Sequence, residues 1–235
     1  MTDIANRSED GSVSGPMRQR HETMYTVLRE RISLLDYLPG QRLSEEVLAE
    51  EFGVSRTPIR RVLSRLESEG LLRSVQGVGT IVTDVDIETL AQTYQLRMEL
   101  AELIGRLNPA PQTHETTDRM RAILVGLDAL IDSPNPRMFA QLNIAFFHAL
   151  TGLTENEPLR EISERLYYRT SRIWIKSIER MNLPEEVAIF RREVADILAA
   201  VEIGDLSAVG HIRRSHISMS FHRLRTQNAD VDSTG

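Results

Sequence analysis

The stretch Ser44–Leu66, SEEVLAEEFGVSRTPIRRVLSRL, constrains this chain more than any other. Ser44 is a good helix N-cap, and Glu45 and Glu46 suit the positive end of a first turn. Val47, Leu48 and Phe52 supply a buried side, and Gly53 ends the helix. Ser55 caps a second helix, with Pro58 in its first turn, where a missing N–H costs nothing. Ile59, Val62, Leu63 and Leu66 follow helical spacing and form one apolar stripe. At about 100° per residue the opposite face carries Arg60, Thr57, Ser64 and Arg61, with Arg56 at its edge.

An apolar back with an Arg/Thr/Ser front fits a DNA major groove. There Arg binds guanine bidentately, and Thr reaches a phosphate or a thymine methyl. The net charge of -6 argues against nucleic acid, but its distribution does not. Residues 17–83 hold ten Arg against nine Asp/Glu, whereas residues 84–235 hold seventeen Lys/Arg against twenty-two Asp/Glu. Four Arg and no acid lie between Ser55 and Leu66. Basic character is therefore local, as a small reading head on an acidic body requires. Arg18 and Arg20, ahead of the first helix, are further cations that can reach phosphate.

Around this pair the pattern continues. Met24, Val27, Leu28, Ile32 and Leu35 predict a helix over 21–35, broken by Pro39-Gly40. Leu71-Leu72-Arg73 and Thr80-Ile81-Val82 predict two short strands, closed by a turn through Gly77 and Gly79. Helix, helix–turn–helix and hairpin in that order make a winged helix–turn–helix. Residues 1–16 are Ser-, Gly- and Asp-rich and read as a disordered tail. The winged domain occupies 17–83, with a linker over 84–86.

Beyond the linker the pattern is helical throughout. Helices are expected near 87–107, 115–132, 137–152, 157–180, 185–203 and 205–224, with short connections, so 87–224 reads as an antiparallel bundle. The polar residues 225–235 read as a flexible tail. The fold class is mainly α, a winged head followed by an all-α bundle. There is no Cys, which excludes disulfides and thiolate sites. No signal peptide and no apolar run long enough to span a bilayer is evident, so a cytoplasmic location is expected. No Ser/His/Asp grouping, phosphate-binding Gly loop or paired-carboxylate spacing stands out, so no enzymatic activity is expected.

The run PGQRLSEEVLAEEFGVSRTPIRRVLSRLESEGLL with GVGTIV resembles the N-terminal domain of the GntR family of bacterial transcription regulators. The resemblance implies DNA contacts from Arg56, Thr57 and Arg60, with Gly77 and Gly79 approaching the minor groove from the wing. Two positions depart from the family pattern. Val78 stands where a wing arginine is usual, and Arg61 stands where an acid is usual, adding positive charge beside Ser64.

The bundle resembles the FadR-type C-terminal domain, FCD, at LRMEL from Leu96 to Leu100, FFHALTGLTEN from Phe146 to Asn156, and EVADILAAVEIGDLSAV. That resemblance implies a homodimer whose bundle binds a small molecule, often an organic acid, and changes affinity for a double-stranded operator. Many FCD domains also hold a divalent metal. The corresponding positions here are Asn143, Phe147, Val194 and His216, and phenylalanine and valine cannot coordinate one. No metal or other cofactor is expected. Arg97, Arg169 and Arg172 are the candidates to meet a carboxylate, with Asn143 and His216 facing the core and Tyr168 and Trp174 as possible walls. Two other readings stand beside this one: a regulator whose bundle only dimerises, and a metal-dependent enzyme on a helical bundle.

Overall fold

The structure is a computed structural model and describes residues 14–84, 87–178 and 180–232. The chain divides into two compact units between Asp84 and Val85. The expected linker falls at this division, with 85 and 86 outside the described residues.

The first unit contains α1 (Ser14–Ser33), β1 (Arg42–Leu43), α2 (Glu45–Phe52), α3 (Arg56–Ser68), β2 (Leu72–Val75) and β3 (Gly79–Val82). Helix α1 begins at Ser14, seven residues before the expected start, so 14–16 are helical rather than tail, and 1–13 lie outside the described residues. The strand β1 was not expected. It pairs antiparallel with β3 (Arg42 opposite Ile81, Leu43 opposite Thr80), giving a sheet of order β1-β3-β2.

The α3 stripe is buried as its spacing requires: Ile59, Val62 and Leu66 are fully buried, and Leu63 nearly so. Met24, Leu28 and Ile32 of α1, Leu48 and Ala49 of α2, and Ile81 and Val82 of β3 are buried with it in this unit. Val47 does not join them. It is 61% exposed, because α2 turns Leu48 and Ala49 inward instead. Ser44 accepts the Val47 N–H through its side chain at 3.4 Å. Gly53 ends α2 in the left-handed region (φ 60°), which a Cβ would disfavour. Ser55 sits at the α3 N-cap position without a side-chain capping bond.

The second unit contains α4 (Ile87–Ile104), α5 (His114–Asp132), α6 (Pro136–Thr151), α7 (Glu157–Ile178), α8 (Leu183–Glu202) and α9 (Leu206–Asp232). Asn135 caps α6 through its side chain, which accepts the Met138 N–H at 2.9 Å, so Pro136 opens that helix rather than breaking it. Helix α9 runs eight residues past the expected end, through most of the presumed tail. Val187, Val194 and Ile197 of α8 pack with Met120 and Leu127 of α5 in the main core. Phe139 and Phe146 of α6 meet Phe190 of α8 edge to face, with centroids 5.7 and 5.3 Å apart. Helices α4 and α9 approach closely: a Cβ at Gly210 would stand 2.9 Å from the Glu102 Cα. Among the described residues no helix is long and apolar enough to cross a membrane.

Candidate nucleic-acid interface and bundle cavity

Helix α3 presents Arg56, Thr57, Arg60, Arg61 and Ser64 together on its exposed face, opposite the buried stripe. Its position is fixed from α1. The Tyr25 hydroxyl lies 2.9 Å from both Glu69 carboxylate oxygens and accepts from Arg29 at 2.9 Å. The Arg65 guanidinium lies over the Tyr25 ring, 3.5 Å from its centroid, and bonds Glu22 at 2.9 Å. Burial, with Glu69 beside it, pushes the Tyr25 phenol well above its ordinary range.

Two arginines of the exposed face share a partner that the sequence reading missed. Arg60 donates from Nε and Nη2 to the Glu45 carboxylate at 2.9 and 2.8 Å, and Arg56 Nη2 adds a bond at 3.3 Å. The Arg60 fork holds the Glu45 carboxyl below its usual range. Arg20 is also engaged. It donates to the Phe52 and Gly53 carbonyls at 3.2 and 3.1 Å, capping the C-terminus of α2 instead of standing free for phosphate. Arg18 and Arg61 line an open groove of about 790 Å³ between α1 and the start of α3. The wing turn carries Gly77 and Gly79 at φ 77° and 108°, backbone that favours glycine, with exposed Val78 between them.

In the bundle a cavity of about 50 Å³ opens among α4, α6, α7, α8 and α9. Arg97 and Asn143 line it, and so does Trp174. Arg169, Arg172 and His216 are not among its lining residues, and Tyr168 instead bonds His148 at 2.9 Å. Sequence reasoning missed the ion pairs beside the cavity. Arg223 clasps buried Glu186 at 2.7 and 2.8 Å, and Arg213 bonds buried Glu193 at 2.6 Å. His216 Nδ1 stands 3.7 Å from the other Glu193 oxygen. Asn143 satisfies its amide on the Phe139 carbonyl at 3.0 Å, one turn back on its own helix.

Arg97 differs from the other lining cations. It donates to Thr170 Oγ1 at 2.6 Å and lies 5.2 and 5.4 Å from the centroids of the Tyr94 and Tyr167 rings. Burial lowers its pKa, and the like charge of Arg213 lowers it further. The Tyr94 hydroxyl, also buried at the cavity with Arg97 and Trp174 beside it, completes no well-formed hydrogen bond among the described residues.

The donor set does not fit a metal. Phe147 stacks on Tyr167 with centroids 4.0 Å apart, Val194 is fully buried in the apolar core, and Asn143 and His216 are engaged as described. Among the described residues no group of three His, Asp or Glu is placed to hold one.

The head is thus a winged helix–turn–helix with an exposed Arg/Thr/Ser face, and the body a helical bundle. Residues 20–82 match the family of bacterial regulatory proteins, gntR family, and residues 92–219 match the FCD domain. The chain belongs to the family of bacterial regulatory proteins, gntR family, in its FCD-bearing branch.

The Nta operon transcriptional regulator of Aminobacter aminovorans is 33% identical over 136 residues, which are 56% of this chain and 64% of that protein, a little under two thirds of its length. The transcriptional repressor RspR of Escherichia coli is 23% identical over 218 residues, 92% of this chain and 94% of that protein. Among solved structures, E. coli McbR/YncC superposes with a TM-score of 0.76 at 22% identity, covering 89% of this chain and 98% of that one, a likeness of fold.

Proposed function

We propose that this chain is a cytoplasmic, homodimeric repressor, not an enzyme, that binds a near-palindromic operator through two copies of α3 and responds to a small organic anion in the bundle. The observation carrying the DNA reading is the single exposed face holding Arg56, Thr57, Arg60, Arg61 and Ser64. Two such helices related by a two-fold axis reach successive major grooves, while Gly77 and Gly79 bring the wing backbone close to the minor groove. Arg56→Ala and Arg60→Ala each weaken binding by about 1–3 kcal/mol per lost base contact without unfolding the protein. The assay is fluorescence anisotropy on a duplex enriched from a random pool. Unchanged affinity in both variants refutes the assigned face.

The anion reading rests on Arg97 and Tyr94. Glu186 and Glu193 occupy the other cavity arginines, so an incoming carboxylate meets Arg97 and the Tyr94 hydroxyl first. An effector then acts by binding the two states of the dimer unequally. A specific observation favours a second reading, a bundle that only dimerises. A water needs roughly 10–15 Å³ of such space, so the cavity of about 50 Å³ takes a few waters or a compact anion and nothing drug-sized. A thermal-shift screen of short mono- and dicarboxylates decides between them, because a ligand of the native state raises its stability. A rise lost in Arg97→Met supports the effector. No rise with any acid supports the platform.

A further inference from the structure

Glu45 stands at the first position of α2, where the helix terminus and the Ser44 cap favour a carboxylate. From there it reaches across the helix–turn–helix to α3. Its two oxygens take the Nε and Nη2 donors of Arg60, and one of them also takes Arg56 Nη2. All three groups are solvent-accessible: the arginine side chains are 61% and 62% exposed and Glu45 is 23% exposed. A free arginine with three or more rotatable bonds sweeps many positions, and any phosphate oxygen satisfies it. Arg60 held on its Nε–Nη2 edge cannot do so. A guanidinium carries five N–H donors, so the outer Nη1–Nη2 edge remains, and that edge matches the O6 and N7 acceptors of guanine. The same carboxylate cancels one of the two positive charges that would otherwise draw α3 to any phosphate.

We propose that Glu45 is a specificity-determining residue of the reading head: it orients Arg60 and Arg56 toward base edges and withholds their charge from the DNA backbone. This rests on the assignment of Arg56 and Arg60 to the base-reading face, and the test separates the two ideas.

Full-length wild type, Glu45→Gln, Arg60→Ala and the double variant are titrated against two labelled duplexes across a salt series. One duplex is enriched from a random pool by the wild type, and the other is a scrambled duplex of equal length. Glu45→Gln keeps the side chain's size and removes its charge. It is expected to bind the scrambled duplex several-fold more tightly, with a logarithmic salt slope steeper by about one. The ratio of selected to scrambled affinity is expected to fall at least five-fold, at unchanged thermal stability. In the Arg60→Ala background the same substitution is expected to have little effect on that ratio.

Glu45→Gln with the ratio and the salt slope of wild type overturns the proposal, and so does an equal loss of affinity on both duplexes. If Arg60→Ala weakens the selected duplex while Glu45→Gln changes nothing, only the role of Glu45 falls. If Arg60→Ala leaves the selected duplex unaffected, Arg60 is not a base reader and this proposal falls with it.

Discussion

The ion pair Arg213–Glu193 joins α9 to α8 in the bundle, and its removal has a calculable cost. The bond is 2.6 Å long and the side chains are only 12% and 6% exposed. Arg213 also covers the Phe146 ring, 5.4 Å from its centroid. Arg213→Met removes the cation and keeps most of the stem that packs there. Among the described residues Glu193 then keeps only His216 Nδ1 at 3.7 Å, a long and poor substitute. A buried charge that loses its partner costs about 3–5 kcal/mol, whereas replacing both members with apolar groups is near neutral or stabilising. Arg213→Met is therefore expected to destabilise the bundle by about 3–5 kcal/mol, and Glu193→Leu with Arg213→Met to return to within about 1 kcal/mol of wild type. Trp174, the only tryptophan in the chain, lines the cavity beside these groups, so its fluorescence follows unfolding of this unit. With a urea slope of about 2 kcal/mol per M, the single substitution lowers the midpoint by about 1.5–2.5 M at fixed protein concentration. A shift below about 0.5 M in the single variant, or strictly additive effects in the pair, would refute the picture of a desolvated, mutually dependent pair.

Three further outcomes follow from the packing. A Cβ at Gly105 would lie 1.8 Å from the Leu206 carbonyl oxygen, which is backbone and cannot swing away. Gly105→Ala should cost about 1–3 kcal/mol by the same urea assay, and a wild-type midpoint would contradict that close approach. Tyr25 ionises at a higher pH when folded than its ordinary value of 10.0, so its contribution is complete below about pH 10 and is lost as pH rises beyond it. Hydrogen exchange in α1 and α3 should accelerate above that pH in wild type and less steeply in Tyr25→Phe; parallel profiles would exclude the phenol as the cause. Because Phe147 and Val194 offer no donors, neither a chelator nor added Zn²⁺ should move the melting temperature, and a clear metal-dependent rise would contradict the donor argument.

The reading helix was legible because its information is local. Ile59, Val62, Leu63 and Leu66 lie within eight residues, and their phase alone puts Arg60 and Thr57 outward. The strand β1 was not legible, since two residues carry no period and Arg42 meets Ile81 only through tertiary pairing. The bonds of Arg56 and Arg60 to Glu45 span eleven and fifteen residues across a turn, so no helical spacing rule reaches them. Val47 went astray for a different reason. An eight-residue helix gives two turns of pattern, too few to decide which of Val47, Leu48 and Ala49 faces in.

In the bundle the apolar stripes were legible but the charges between them were not. The positions expected to correspond to a metal site carry Phe147 and Val194, and the arginines were sought at Arg97 on α4 and at Arg169 and Arg172 on α7. Of these only Arg97 lines the cavity; its other cations, Arg213 and Arg223, come from α9, drawn in by two glutamates on α8. Those glutamates did leave a signal. Glu186 and Glu193 are seven apart, each immediately before a fully buried valine on the stripe Val187, Phe190, Val194, Ile197. Two acids at the edge of one apolar stripe cannot both face water along a helix packed on several sides, and a buried carboxylate requires a cation. The stripe that reads as core thus also demands two arginines from a neighbouring helix. Arg213 and Arg223, one before and one after the α9 core residue Ile217, meet that demand. Where a metal would tie several helices through one ion, these pairs tie α8 to α9, and α6 is held by Phe147 on Tyr167, by the His148–Tyr168 hydrogen bond and by Phe139 and Phe146 on Phe190.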